Sequence, residues 1–207
     1  MTREEEQQII AQVLAGDVQR FEPLVKANET GVYNLALRML GNAQDALDAS
    51  QEAFFRAYRA LTSFRGDSKF SVWLYRLTSN VCLDMLRKRG RREELSLTDE
   101  GVSELPLPDL RYDPQGLLEK KELRRAVRRG MEKLSPEFRE ALALRDGEGL
   151  SYEEIGQVTG LESGTVKSRI YRARRKLAAI LMADGNFSGR EPSYESTARG
   201  GGKDEKL

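Results

Sequence analysis

The sequence predicts an all-α fold of two helical domains joined by an acidic flexible linker. Three observations lead there. Apolar residues recur at helical spacing along most of the 207 residues, and no stretch shows the alternation of a half-buried strand. Three of the six prolines, Pro106, Pro108 and Pro114, interrupt that pattern in one interval. Charge is also ordered along the chain. Residues 84–92 hold five basic residues and one acid, residues 93–119 hold eight acids against Arg111, and residues 163–177 hold six basic residues and no acid. The expected boundaries are a first domain over residues 3–92, a linker over 93–117, a second domain over 118–183 and a disordered tail rich in Gly and Ser over 184–207.

Composition narrows the function. Lys+Arg (34) nearly cancels Asp+Glu (33), so any nucleic-acid surface must be local. The chain has no histidine, which excludes a His general base, a His-containing zinc site and the usual catalytic triads. The one cysteine, Cys82, can form neither an intramolecular disulfide nor a Cys-based zinc site, and it reads as a small buried apolar residue in a reducing compartment. No catalytic residue, metal or cofactor is expected. The start, "MTREEEQQII", lacks the apolar region of a signal peptide, and no apolar run reaches membrane-spanning length. A cytoplasmic protein without membrane insertion is expected.

The first informative helix is "GNAQDALDASQEAFFRAYRAL", residues 41–61. Leu47, Phe54, Tyr58 and Leu61 gather on one side. Asp45, Asp48 and Glu52 gather on another, with Gln51 nearby. Asn42 can cap this helix, and an acid in its first turn stabilises the macrodipole by about 0.3–1 kcal/mol. That explains Asp45 well and Glu52 hardly at all, so the acidic face stays open between a solvated surface and a protein-binding one.

Next comes "FRGDSKFSVWLYRL", residues 64–77, unusually aromatic for a chain with 7% aromatic residues. A helix from about Ser68 puts Phe70, Trp73, Leu74, Leu77 and Val81 in one stripe, so most of these rings are core. Arg76, Asn80 and Arg87 share a different flank within about 40°, and the helix ends in "RKRGRR", which suits phosphate or duplex contact. The loop before it contains Phe64, Arg65, Gly66, Asp67 and Ser68. Its Gly turn and small polar groups could hold an unstacked base.

In the second domain, "LSYEEIGQVTGLESGTVKSRIYRARRKL" spells a helix-turn-helix. Ser151 and Glu154 form a capping box for a helix over 152–159, which turns Ile155 and Val158 inward. Gly160 supplies the C-cap. In the helix that follows, Val166, Ile170, Ala173 and Leu177 form one buried stripe. Thr165, Ser168, Tyr171, Arg172 and Arg175 face the other way, flanked by Lys167 and Arg169. Hydroxyl and guanidinium groups on the first turns of such a helix suit base-edge and phosphate contacts in a major groove. This motif alone fits many DNA-binding regulators.

Taken together, residues 3–183 resemble a bacterial RNA polymerase sigma factor of the extracytoplasmic-function (group 4) type. "DALDASQEAFFRAYRAL" resembles the core-polymerase-binding helix of sigma domain 2, and "FRGDSKFSVWLYRLTSNVCLDMLRKRGRR" its promoter-melting and −10-element segment. "LSPEFREALALRDGEGLSYEEIGQVTGLESGTVKSRIYRARRKL" resembles the −35-reading module of domain 4. The resemblance implies a non-enzymatic initiation factor whose partners are core RNA polymerase (the β′ coiled coil and the β flap), promoter DNA and an anti-sigma factor.

Residue roles follow from the same resemblance. Asp45, Asp48, Gln51 and Glu52 would dock on the β′ coiled coil. Residues 64–68 would capture a flipped −10 base, with Trp73, Arg76, Asn80 and Arg87 in melting and −10 contact. Thr165, Lys167, Ser168, Arg169, Tyr171, Arg172 and Arg175 would contact the −35 element. The acidic linker would thread toward the polymerase active centre. The chain departs from larger sigma factors in having no room for domain 3, and from primary ones in having Leu74 after Trp73 where two aromatics stand adjacent. Ala49-Ser50 occupies a place where many relatives carry bulkier aliphatics.

Overall fold

The computed structural model describes residues 1–93 and 114–183. Every described element is helical. α1 (Arg3–Leu14) starts at a capping box: the Thr2 hydroxyl accepts from the Glu5 N–H, and the Glu5 carboxylate accepts from the Thr2 N–H. α2 (Phe21–Leu40) stops at Gly41, whose φ of +75° is a left-handed turn that glycine adopts without a Cβ clash. α3 (Ala43–Arg59) follows at once, with the Asn42 side chain accepting from the Asp45 N–H at 3.1 Å. A short loop then leads into α4 (Phe70–Glu93). In the second half, α5 (Pro114–Glu132), α6 (Pro136–Leu142) and a π-helical turn (Ala143–Gly147) precede α7 (Tyr152–Thr159) and α8 (Ser163–Ala183).

The helix-turn-helix forms as its residues dictate. The Ser151–Glu154 capping box is closed on both sides, at 2.9 and 3.1 Å. Gly160 sits at φ +74° and returns its N–H to the Gly156 carbonyl. Val166, Ile170 and Ala173 are buried, whereas Leu177 is half-buried and packs against Gly130 of α5.

Three expectations change. The linker does not reach residue 117, because α5 begins at Pro114; proline suits a first helical turn, where its missing N–H would have no partner. Residues 94–113 of the expected linker and the tail 184–207 lie outside the described residues. α4 begins at Phe70 rather than Ser68, although the Lys69 carbonyl already accepts from Val72 and Trp73. On α3 the buried face is Ala46, Ala49, Ser50, Ala53 and Ala57, while Leu47 (45%), Tyr58 (39%) and Phe55 (55%) stay exposed. Small side chains let α2 and α4 approach α3 closely, so the larger ones are left outside. The Ala49-Ser50 pair fits there, and the Ser50 hydroxyl is satisfied by the Ala46 carbonyl at 2.6 Å.

The core does not divide where the sequence does. One cluster belongs to the first half: Ile10, Val13, Leu24, Val32, Ala53, Ala57, Leu61, Phe70 and Leu74. A second runs through both halves, joining Leu35, Met39, Val72 and Cys82 to Leu144, Leu150, Ile155, Val158 and Ile170. α4 therefore has three sides. Phe70 and Leu74 face the first core; Val72, Ser79, Val81, Cys82 and Leu86 face the shared cluster, with Tyr75 touching both; Arg76, Asn80 and Arg87 face outward.

Polar groups fasten this junction. Arg139 is buried and donates to four carbonyls: Met131, Glu132, Leu134 and, across the junction, Met39 at 2.7 Å. Glu148 pairs with Arg38 and accepts from the Tyr75 hydroxyl at 3.1 Å.

Candidate nucleic-acid interface

Three surfaces carry the residues that the sequence singled out. On α3, Asp48 and Gln51 are exposed, whereas Asp45 and Glu52 are half-buried. Asp45 accepts from Arg89 of α4 at 2.7 Å, and Glu52 pairs with Arg56 at 2.7 Å, so two of the three acids already have cationic partners. Asp48 accepts a neutral amide bond from Gln44 at 3.1 Å and is exposed. The exposed Leu47, Phe55 and Tyr58 stand around it on the same helix. An exposed face that mixes a carboxylate with large apolar groups suits a partner surface better than solvent.

The loop and outer flank of α4 form the second surface. Phe64 turns inward, its ring 5.7 Å from Phe70 and 5.3 Å from Trp73. Each such aromatic pair is worth about 0.5–1.5 kcal/mol beyond burial. Phe64 is thus the loop's anchor rather than a free stacking ring, and Arg65 and Asp67 are the exposed members. Gly66 turns the chain at φ +75°, Ser68 bonds the Lys69 carbonyl at 3.2 Å, and Lys69 pairs with Glu154 of α7 at 3.1 Å. Beyond the half-buried Trp73, Arg76, Asn80 and Arg87 are exposed along one line, and Asp84 holds Arg87 at 3.0 Å.

The third surface is α8. Thr165, Lys167, Ser168, Tyr171, Arg172 and Arg175 are exposed, Tyr171 to 62%, and Arg175 lies over the Tyr171 ring. Lys167, Ser168, Tyr171 and Arg172 line a shallow depression on this face. Arg169 is the exception. It is half-buried, close enough to the buried Glu140 carboxylate to favour its ionised form.

Glu140 sits where the two halves meet, on α6. Burial pushes its carboxyl pKa up, against the Ser79 hydroxyl bonded to it and the nearby Arg169 and Arg87, and Glu137 pushes the same way as burial. Burial, reinforced by Glu140, raises the Cys82 thiol to about 12. Burial also raises the Tyr75 hydroxyl, with Glu148 reinforcing it. Cys82 is buried as its composition suggested. Arg139, Glu140 and Glu148 were not singled out from sequence. The signal available was a charged Arg-Glu pair inside the apolar run "EFREALAL". Among the described residues, no group of His, Cys, Asp and Glu could hold a metal ion.

Comparison with known proteins decides the family. Residues 24–92 match the description Sigma-70 region 2, and residues 124–177 match Sigma-70, region 4. The chain is 39% identical over 187 residues to the RNA polymerase sigma-H factor of Pseudomonas aeruginosa, covering 88% of this chain and 96% of that protein. It is 40% identical over 177 residues to the ECF RNA polymerase sigma-E factor of Escherichia coli K12, covering 83% and 92%. The chain belongs to the extracytoplasmic-function sigma factors of the sigma-70 family. Solved sigma factors share the fold of this one: CnrH in complex with the cytosolic domain of CnrY (TM-score 0.63, 28% identity, 87% of this chain and 99% of that one). Likewise RpoE of Bartonella quintana, bound to the anti-sigma factor NepR, has a TM-score of 0.62 at 27% identity over 79% and 98%. In this sigma factor, α2, α3 and α4 make up region 2, and region 4 runs from α5 into α8. α1 precedes both. No described helix is long and apolar enough to cross a membrane.

Proposed function

We propose that this sigma factor docks on core RNA polymerase through α3, places the polymerase at promoters by reading a −35 element with α8 and a −10 element with the α4 flank and its loop, and promotes melting for a specialised stress or envelope regulon. Asp48, with Gln51 beside it and Asp45 and Glu52 behind, meets the basic β′ coiled coil, while region 4 meets the β flap. Arg65, Gly66, Asp67 and Ser68 cradle one flipped base against the wall made by Phe64 and Trp73. Arg76, Asn80 and Arg87 follow the adjoining strand. Thr165, Lys167, Ser168, Tyr171, Arg172 and Arg175 enter the major groove, with Arg169 steadied from behind by Glu140. The anti-sigma factor bound to the Bartonella relative supports a regulatory partner of that kind here.

One observation carries the reading. The exposed residues of α3, the α4 flank and α8 remain uncovered even though regions 2 and 4 pack against each other. That packing implies a step. α8 packs on α7, and α7 packs on α4, so at 8–10 Å per helix pair the two reading surfaces are roughly 20 Å apart. Two elements about 25 base pairs apart on one duplex are separated by roughly 85 Å at 3.4 Å per base pair. The halves must therefore part on the promoter, with the interval 94–113 as the tether. Run-off transcription with bacterial core polymerase on a promoter library, with and without the protein, tests the reading. New start sites that share two upstream elements are expected. No new starts, together with tight duplex binding by the protein alone, would make it a plain DNA-binding regulator instead.

A further inference from the structure

We infer that α1, which lies outside the stretch matched to region 2, is the positioning element of the base-capture loop, and that Arg3 and Glu6 are the residues that hold the loop in its reading conformation. The inference rests on the base-capture role proposed above.

The geometry is local and specific. The Thr2–Glu5 capping box fixes where α1 begins, and so fixes which way Arg3 leaves the first turn. The Arg3 guanidinium donates to the Gly66 carbonyl at the apex of the loop. One turn on, the Glu6 carboxylate accepts the Phe70 N–H at 3.3 Å, capping α4 where the loop ends. The Gln7 amide comes within 3.3 Å of where a Gly66 Cβ would stand. Arg3, Glu6 and Gln7 follow i, i+3, i+4 and share one side of α1 with the buried Ile10 and Val13. The lower half of that side is thus set in the core cluster that Phe64 and Trp73 pack against, and the upper half reaches the loop.

Gly66 makes such a hold necessary. A glycine at φ +75° sits in a shallow conformational well with no side chain to restrain it. Phe64 anchors the start of the loop in the core, while at its end Lys69 is tied to Glu154 of region 4, a contact that is lost once the halves part on a promoter. The α1 contacts lie on the same side of the junction as the loop and survive that parting. Beyond the Phe64 anchor, they then keep Arg65, Asp67 and Ser68 aligned for one base.

The test uses holoenzyme assembled from core polymerase and the full chain. The probes are fluorescent single-stranded oligonucleotides carrying the −10 element from the start-site survey, with each of the four bases at each position. Arg3→Ala and Glu6→Ala should each lower discrimination at the captured position by roughly three- to tenfold, the worth of a typical hydrogen bond, because solvent screens these charged contacts. Arg3→Lys and Glu6→Gln keep a donor and an acceptor and should restore most of it. Affinity for core polymerase and for −35 duplex should not move. Unchanged discrimination in both alanine variants would overturn the role of α1 while leaving base capture intact. A uniform loss across all oligonucleotides, with a matching fall in core affinity, would also overturn it by making α1 a mere stabiliser. A wild-type holoenzyme indifferent to the base at every position would overturn base capture itself and this inference with it.

Discussion

Replacing Glu148 with alanine probes the junction between regions 2 and 4 at its most polar point. The carboxylate pairs with Arg38 of α2 and accepts from the Tyr75 hydroxyl of α4, and its side chain is only 10% exposed. A hydrogen bond to a charged acceptor contributes about 1.5–3 kcal/mol. The Arg38 pair adds less, because the Arg38 side chain is 40% exposed and screened by solvent. A combined loss of about 2 kcal/mol corresponds to a roughly thirtyfold shift from packed toward separated halves. Dyes on Ala27→Cys in α2 and Ala178→Cys in α8, both exposed, would report the separation by energy transfer. Cys82 stays unlabelled, since it is buried with its thiol held up to about 12, where almost no reactive thiolate exists at neutral pH. The midpoint of the separation transition in urea should fall in Glu148→Ala, and by a smaller amount in Tyr75→Phe. Identical midpoints in wild type and Glu148→Ala would refute the assignment of this carboxylate as a junction contact.

Further expectations concern the surfaces and the buried carboxyl. Asp48→Arg should weaken binding to core polymerase about tenfold or more, read by fluorescence anisotropy of labelled protein; an unaltered affinity would return the acidic face to solvent. Arg172→Ala should cost about 1–3 kcal/mol of −35-dependent selectivity in competitive transcription and leave core affinity alone; unchanged promoter choice would remove it from the reading face. Glu140 has its folded pKa raised, chiefly by burial, so its protonated form favours the fold. Its contribution is fully present below its ordinary value of 4.5 and is lost as pH rises through the raised value. Glu140→Gln should flatten that dependence and raise stability at neutral pH, as followed by urea unfolding across pH. A steeper dependence in the variant would mean that Arg169 and Arg87 outweigh burial.

Much of this architecture was legible because it is written locally. The Ser151–Glu154 capping box, the Gly160 stop and the stripe of Val166, Ile170 and Ala173 each involve residues a few positions apart and form as expected, with Leu177 at the stripe's end only half-buried. The junction was not legible for the opposite reason. Arg38 and Glu148 are 110 residues apart, and the side of α4 that faces region 4 mixes Tyr75, Ser79 and Cys82, which periodicity alone does not separate from a solvent face. Of the apolar residues expected to gather on one side of the helix over 41–61, Leu61 is buried but Leu47 and Tyr58 are exposed, because being apolar does not oblige a side chain to be inside. The exposed positions of α3, the α4 flank and α8 were named from the sequence, but their neighbours were not. That Asp45 is held by Arg89, Phe64 by Trp73 and Arg169 beside Glu140 depends on how helices lie against one another.

The cluster shared by the two halves bears on how sigma factors can be recombined. Joining this region 2 to a region 4 from elsewhere looks like an exchange of independent reading heads. Yet Val72, Tyr75, Cys82 and Leu86 on one side of the cut, and Leu150, Ile155 and Val158 on the other, are a fitted pair of surfaces. A hybrid whose incoming half lacks the matching relief would carry bare hydrocarbon whenever it is off the polymerase. Such a hybrid would fail in the test tube by clumping rather than by misreading promoters, and repairing it would mean transplanting the outer wall of α4 together with the new reading head.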